Sequence, residues 1–186
     1  MKTFIALDFD KKTKKNLGNI QKYLKTSASK GSWVYIDNFH LTLKYLGITS
    51  IDNLEEIKKK LREIARKSLN IKLKYTNLGY FRGKDVLRVL YLDLKGETEK
   101  IYEMKNKIDT NLEVIGFHKE KKKYIPHITL GRRIVFENRI YEINENIKNE
   151  LNKPFKLDKL ILFKSEQIDN KRVYTPVEVF PLKDCD

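Results

Sequence analysis

"NFHLTLKYLG" at residues 38–47 and "YIPHITLGRR" at 124–133 repeat one phrase: a histidine, an apolar residue, a threonine and a leucine. The chain of 186 residues holds only 3 histidines, so finding His40 and His127 in the same short context, 87 positions apart (127 minus 40), is the most informative feature it has. Both stretches alternate between apolar and polar residues, which predicts half-buried strands. Residues i and i+2 share a face of a strand. His40 and Thr42 therefore point one way while Leu41 and Leu43 point the other, and His127 with Thr129 opposes Ile128 with Leu130 in the same manner. Two such strands predict two related lobes that bury their leucines and present an imidazole beside a hydroxyl.

Outward from these strands, the pattern alternates short strands with longer helices. "KTFIALDF" near the start is a continuous apolar run ended by charge, a buried strand, and residues 11–26 follow with Leu17, Ile20, Tyr23 and Leu24 at helical spacing. "TSASKGS" reads as a break and "WVYI" as a strand ahead of the first motif. Residues 51–67 form an amphipathic helix, and 70–81 with 85–94 form a hairpin turning through "RGK". A helix over 97–113 leads to the second motif strand, a weaker helix covers 139–151, and "FKLDKLILFKSEQ" pairs with "RVYTPVEVFPL" through "IDNK". Hairpins interleaved with separated helices predict an α+β fold rather than a doubly wound parallel sheet. No linker composition divides the chain, so residues 1–186 are read as one domain of two pseudo-symmetric lobes.

Charge narrows the partner. Lys and Arg number 39 against 25 Asp and Glu, a net +14, which fits nucleic acid or a phosphorylated small molecule as well as it fits a lysine-rich solvated surface. The single cysteine, Cys185, can close no internal disulfide, and the opening apolar run is interrupted by Asp8 and Asp10 before it could serve as a signal core or membrane span. A cytoplasmic protein without a membrane partner is expected.

Two imidazoles facing one another supply a general base and a general acid together, and adjacent hydroxyls can hold the non-bridging oxygens of a phosphate. Neither motif has a second His, Cys or Asp at i+2 or i+4, which argues against a metal site, and no G-x-S-x-G elbow exists. Neither metal nor cofactor is therefore expected.

In these residues the chain resembles the two-histidine (2H) phosphoesterases, which carry two His-x-Thr motifs, and within them the RNA 2′,3′-cyclic phosphodiesterases also called 2′-5′ RNA ligases. The resemblance runs through "FIALDF" at 4–9, "NFHLTLKYLG" at 38–47, "RVLYLDL" at 88–94, "PHITLGR" at 126–132, and "LILFKSEQ" with "VYTPVEVFPL" at the end. It implies two antiparallel sheets flanking a central cleft, with helices packed outside. It implies metal-independent hydrolysis of a 2′,3′-cyclic phosphate RNA terminus to a 2′-phosphate, with weak reversible 2′-5′ joining, by a protein read as a monomer with no protein partner. His127 is assigned as the base and His40 as the acid, although the sequence is symmetric on this point. Thr42 and Thr129 would bind the non-bridging oxygens, and Arg132 would contact phosphate. Strict alternation places Arg133 rather than Arg132 on the face of His127, and a bulge at Gly131 would reverse that. Two alternatives stand beside this reading: a non-catalytic module that binds RNA ends, and a 2H enzyme for a small cyclic nucleotide.

Other candidates are weighed against plainer roles. Lys44 shares parity with His40, as a cleft cation or a solvated lysine. His118 lacks the threonine and is expected to be an exposed bystander. Phe81 and Tyr124 read as base-stacking or core aromatics, Trp33 as packing near the cleft, and Phe39 as either. Asp10 is a helix cap, Asp8 is structural, and Ser165 and Tyr174 sit in a cleft wall or serve the fold.

Overall fold

The structure, a computed structural model, describes residues 1–184, so the expectation resting on Cys185 lies outside the described residues. Among the described residues nine strands and four α-helices succeed one another as β1 (Lys2–Asp8), α1 (Lys11–Thr26), β2 (Ala28–Trp33), β3 (His40–Ile48), α2 (Ile51–Arg66), β4 (Ile71–Arg82), β5 (Leu87–Gly96), α3 (Thr98–Glu113), β6 (Ile128–Phe136), α4 (Ile140–Asn146), β7 (Pro154–Leu157), β8 (Lys159–Ile168) and β9 (Lys171–Pro181). They build the expected α+β fold from two antiparallel sheets, ordered β3-β1-β8-β9 and β2-β6-β5-β4-β7. Among the described residues no helix is long and apolar enough to cross a membrane.

Local chemistry starts the helices. The Asp10 carboxylate accepts the Thr13 N–H at 2.6 Å at the head of α1, and the Ser50 hydroxyl accepts the Asn53 N–H at 3.2 Å at the head of α2. The apolar stripes of α1 (Leu17, Ile20, Leu24), α2 (Leu54, Ile57, Leu61, Ile64) and α3 (Ile101, Met104, Ile108, Leu112) then merge with the inward faces of both sheets into one core. β1 is buried on both faces. Ile5 and Leu7 enter that core, while Phe4 and Ala6 join Ile161 and Phe163 in a second cluster on the opposite side. This is why "FIAL" is a run of apolar residues instead of an alternation.

Several sequence expectations change. "TSASKGS" is not a break: residues 28–33 form β2, an edge strand on β6 whose side chains are mostly exposed, so it carries no hydrophobic alternation. A Cβ at Gly31 would collide with the Ile134 side chain, so glycine allows β2 to cross closely there. Only Trp33 of "WVYI" is in a strand, and residues 36–38 form a 3-10 turn. The closing run splits into two. β7 pairs with β4 and β8 with β1 and β9, the chain changing sheets at Asp158, whose carbonyl accepts the Leu182 N–H at 2.8 Å. The weaker helix shortens to α4 followed by a 3-10 turn over 148–150. The β8–β9 turn holds Asp169 and Asn170 at φ 47° and 61°, the pair of positive angles a type I′ hairpin needs.

Candidate active site

Each motif histidine stands at the head of its strand, tethered by the backbone two residues earlier. His40 Nδ1 lies 2.7 Å from the Asn38 carbonyl and His127 Nδ1 lies 2.6 Å from that of Ile125. A carbonyl only accepts, so Nδ1 carries the proton in both rings and Nε2 of the neutral imidazole presents its lone pair. His40 Nε2 faces the Thr42 hydroxyl at 2.9 Å, which donates to it, whereas His127 Nε2 has no hydrogen-bond partner among the described residues.

Aromatic rings hold the two imidazoles. Phe4 lies 4.9 Å from the His40 ring and Tyr174 stands edge-on to it at 5.2 Å. Tyr91 lies 5.0 Å from His127, with Phe81 edge-on at 5.4 Å. Apolar walls disfavour the imidazolium. Burial pushes His40 down to about 4, against the Asn38 carbonyl and the Asp8 charge that favour its protonated form. Burial lowers His127 as well, with the Arg132 charge adding to it and the Ile125 carbonyl and Asp93 opposing.

The register of the two motif strands explains which residues share this face. In β3, Ala6 pairs with Thr42 but Ile5 with Lys44, and in β6, Tyr91 pairs with Thr129 but Leu90 with Gly131. Each strand therefore carries one extra residue after its threonine, and the bulge reverses parity beyond it. Leu43 with Lys44, and Leu130 with Gly131, are consecutive buried pairs, and the cleft face resumes at Tyr45 and Arg132. Arg132 pairs with Val89, on the Tyr91 side of β5. Arg133 sits at φ 54° and reaches the Ser32 hydroxyl at 3.5 Å. Gly131 fits between Trp33 and Ile134, where a Cβ would come within 3.1 Å of the indole and 2.9 Å of Ile134 Cδ1.

The same bulge corrects the reading of Lys44, which is neither a cleft cation nor a solvated lysine. Its ammonium is 1% exposed and pairs with Asp109 at 2.7 Å, while donating to the His118 carbonyl at 2.8 Å. Tyr45 takes the place assigned to it on the cleft face. It lines a cavity of about 420 Å³ together with Thr42, Phe81, Arg88, Lys122, Lys123, Tyr124 and His127. The Tyr124 hydroxyl donates to the Thr42 carbonyl at 2.8 Å, tying the segment before β6 to β3. Phe39 is core, and His118 has an exposed side chain. Asp8 is opposite His40 and bound to Lys14 at 2.8 Å. Among the described residues no group of three His, Cys, Asp or Glu side chains is placed to hold a metal ion.

Sequence reasoning missed Tyr45, Phe4, Tyr91 and Gly79. The Tyr91 ring that supports His127 lies over Gly79, and a Cβ there would meet that ring. Gly79→Ala should therefore push Tyr91 toward His127 and lower kcat by roughly 10- to 100-fold, the cost of misplacing a reacting group by about an ångström. Steady-state kinetics beside a thermal melt tests this, and unchanged kcat in a folded variant would refute it.

With that geometry in view, the comparisons are specific. The LigT like Phosphoesterase family model matches residues 7–91 and again 92–174. The chain belongs to this family of two-histidine phosphoesterases and is a phosphoester hydrolase. An RNA 2′,3′-cyclic phosphodiesterase of Thermotoga maritima is 30% identical over 147 residues, covering 79% of this chain and 78% of that one. One from Methanocaldococcus jannaschii is 27% identical over 185 residues, covering 96% and 99%. Among solved structures, TT0787 of Thermus thermophilus superposes with a TM-score of 0.79 at 22% identity over 99% of both chains. E. coli LigT complexed with 3′-AMP gives 0.79 at 20% identity over 97% of both, a likeness of fold.

Proposed function

We propose that the chain hydrolyses RNA ends bearing a 2′,3′-cyclic phosphate to 2′-phosphates, with His40 and His127 as its acid–base pair and no metal or cofactor. The observation that carries the reading is the pair of imidazoles, each tethered through Nδ1 to a backbone carbonyl, with His40 Nε2 on the Thr42 hydroxyl and His127 Nε2 without a hydrogen-bond partner among the described residues. The relatives' activity and the net charge of +14 support RNA as substrate.

His127, with its Nε2 lone pair unengaged, takes a proton from water as the oxygen attacks phosphorus in line with the bond to O3′. That P–O3′ bond breaks, and His40 gives its proton to O3′, leaving phosphate on O2′. Both rings are neutral in the free protein at neutral pH, so the anionic substrate supplies the field that protonates the acid, assisted at His40 by Asp8. Thr42, Thr129 and Arg132 hold the non-bridging oxygens and offset the charge that grows on them. If a 5′-hydroxyl takes the place of water, the same steps form a 2′-5′ linkage, reversibly.

The reading includes one domain made of two duplicated halves, working as a monomer in the cytoplasm. The two successive matches of the family model support the duplication, as does the shared strand order, motif strand, then β1 or β5, then β8 or β4 from the other half.

The test is hydrolysis of an oligoribonucleotide with a 2′,3′-cyclic phosphate end in EDTA, with the product phosphate located by mass and phosphatase sensitivity. Turnover to a 2′-phosphate at an undiminished rate in chelator is expected. Loss of activity in EDTA would restore a metal, and binding without turnover would leave a module that only recognises RNA ends.

A further inference from the structure

A groove of about 860 Å³ runs between α1 and the segment Trp33–Asp37, separate from the cavity lined by Thr42 and His127. One wall is a stripe of lysines. Lys11, Lys15, Lys22 and Lys25 follow one another at steps of four, seven and three residues along one face of α1, with Lys14 beside them and Gly18 in the middle. Gly18 brings the helix close to the far wall, since a Cβ there would meet Ile36 Cδ1 at 3.0 Å. From Lys11 to Lys25 the stripe spans about 21 Å at 1.5 Å per residue. The far wall offers Trp33 and Tyr35, the latter 51% exposed, and Lys25 Nζ lies 5.8 Å from the centre of the Trp33 ring. Asp37 is the one acidic residue in the lining. Among the described residues only Lys14 of the five lysines has a carboxylate partner, Asp8.

The groove meets the active site. Lys14 bridges the Asp8 carboxylate at 2.8 Å and the Asp37 carbonyl at 2.9 Å, and Asp8 is the residue opposite His40 on β1. Trp33 pairs with Gly131, next to Arg132. Gln21, on the inner side of α1, donates to the carbonyls of Val34 and Leu130 at 2.7 and 2.9 Å, which fixes the groove to the strand carrying His127 and Thr129. A basic track with aromatic faces is how proteins hold single-stranded nucleic acid, phosphates on the lysines and bases on the rings. An RNA that ends in a cyclic phosphate can continue from the active site only in its 5′ direction.

We propose that this groove binds the single-stranded RNA immediately 5′ to the reacting terminus, with its phosphates along the α1 lysines and a base against Trp33 or Tyr35. The proposal rests on the RNA-end reading given above.

The test is the triple variant Lys15→Gln/Lys22→Gln/Lys25→Gln, all three side chains being exposed and unpaired with acids among the described residues. Two quantities are measured across a salt series: binding of a single-stranded decanucleotide ending in a 2′-phosphate, by fluorescence anisotropy, and kcat/KM for the matching cyclic-phosphate decanucleotide beside a mononucleoside 2′,3′-cyclic phosphate. The variant should bind the decanucleotide about 10- to 100-fold more weakly at low salt. Its slope of log affinity against log salt should shrink by roughly 2, about 0.7 for each phosphate that a lysine no longer neutralises. Its mononucleotide turnover should match the wild type. Unchanged decanucleotide affinity and slope would overturn the groove, as would equal losses on both substrates. A wild type that binds the decanucleotide through these lysines yet hydrolyses neither substrate would sink the phosphodiesterase reading and leave the groove standing. Hydrolysis of both with lysine-independent binding would do the reverse.

Discussion

His127→Ala and His40→Ala should each lower kcat on a cyclic-phosphate oligoribonucleotide by about 100- to 10,000-fold, the range a positioned proton donor or acceptor supplies. His118→Ala should leave the rate within twofold. All three should fold, because the motif rings make few polar contacts: one carbonyl for His127, and one carbonyl with the Thr42 hydroxyl for His40. Among the described residues His118 hydrogen-bonds through its backbone carbonyl, to Lys44 outside the cleft, and alanine keeps that bond. Rate measurements with thermal melts decide the matter, and a His118→Ala defect equal to the others would break the assignment. His40→Ala also carries a stability signature. The folded imidazole resists protonation down to about 4 against an ordinary value of 6.5. The unfolded chain therefore binds the proton first as pH falls. The stability that goes with neutral His40 is whole above 6.5 and is lost as pH drops through about 4, up to roughly 3 kcal/mol. Wild type should lose that much relative to His40→Ala over this window in urea titrations, and parallel pH curves for the two proteins would contradict the burial argument.

Asp109→Ala should destabilise the fold by about 3–5 kcal/mol, because it removes the carboxylate that two buried ammonium groups share. Lys44 and Lys105 are 1% and 6% exposed and both bind Asp109. Burial by itself raises that carboxyl, but hydrogen bonds from Lys105 and Lys44 outweigh it and hold Asp109 below the ordinary carboxylate range. Without Asp109 the two cations would face each other in a low-dielectric pocket across the β3–α3 contact. The melting temperature should fall by roughly 6–20 °C. Lys44→Met is the control: it leaves Asp109 paired one to one with Lys105 and should cost much less. Equal losses for the two variants in urea denaturation would show that the triad is not organised this way.

The motif strands were legible because hydropathy with period two is enforced by one-sided burial, and Leu41, Leu43, Ile128 and Leu130 are all in the core. The helices were legible from the same cause at period 3.6, and the start of α1 from Asp10. β2 was not, because an edge strand with exposed side chains is held by backbone hydrogen bonds that any sequence can make. The join between β7 and β8 was not, because no turn residue marks a chain that only changes pairing partners.

The sequence by itself determined the α+β class, the two His-Thr pairs and their burial pattern, since each depends on contacts spaced by the local geometry of strand or helix. Tertiary structure alone decided what lies beyond each threonine. The bulges after Thr42 and Thr129 bring Tyr45 and Arg132 to the cleft and send Lys44 to Asp109, and a bulge is set by the neighbouring strand's register, which alternation cannot record. Tertiary structure alone also placed Phe4, Tyr174 and Tyr91 around the imidazoles, because those rings come from strands paired across long stretches of chain, where nothing local encodes the meeting.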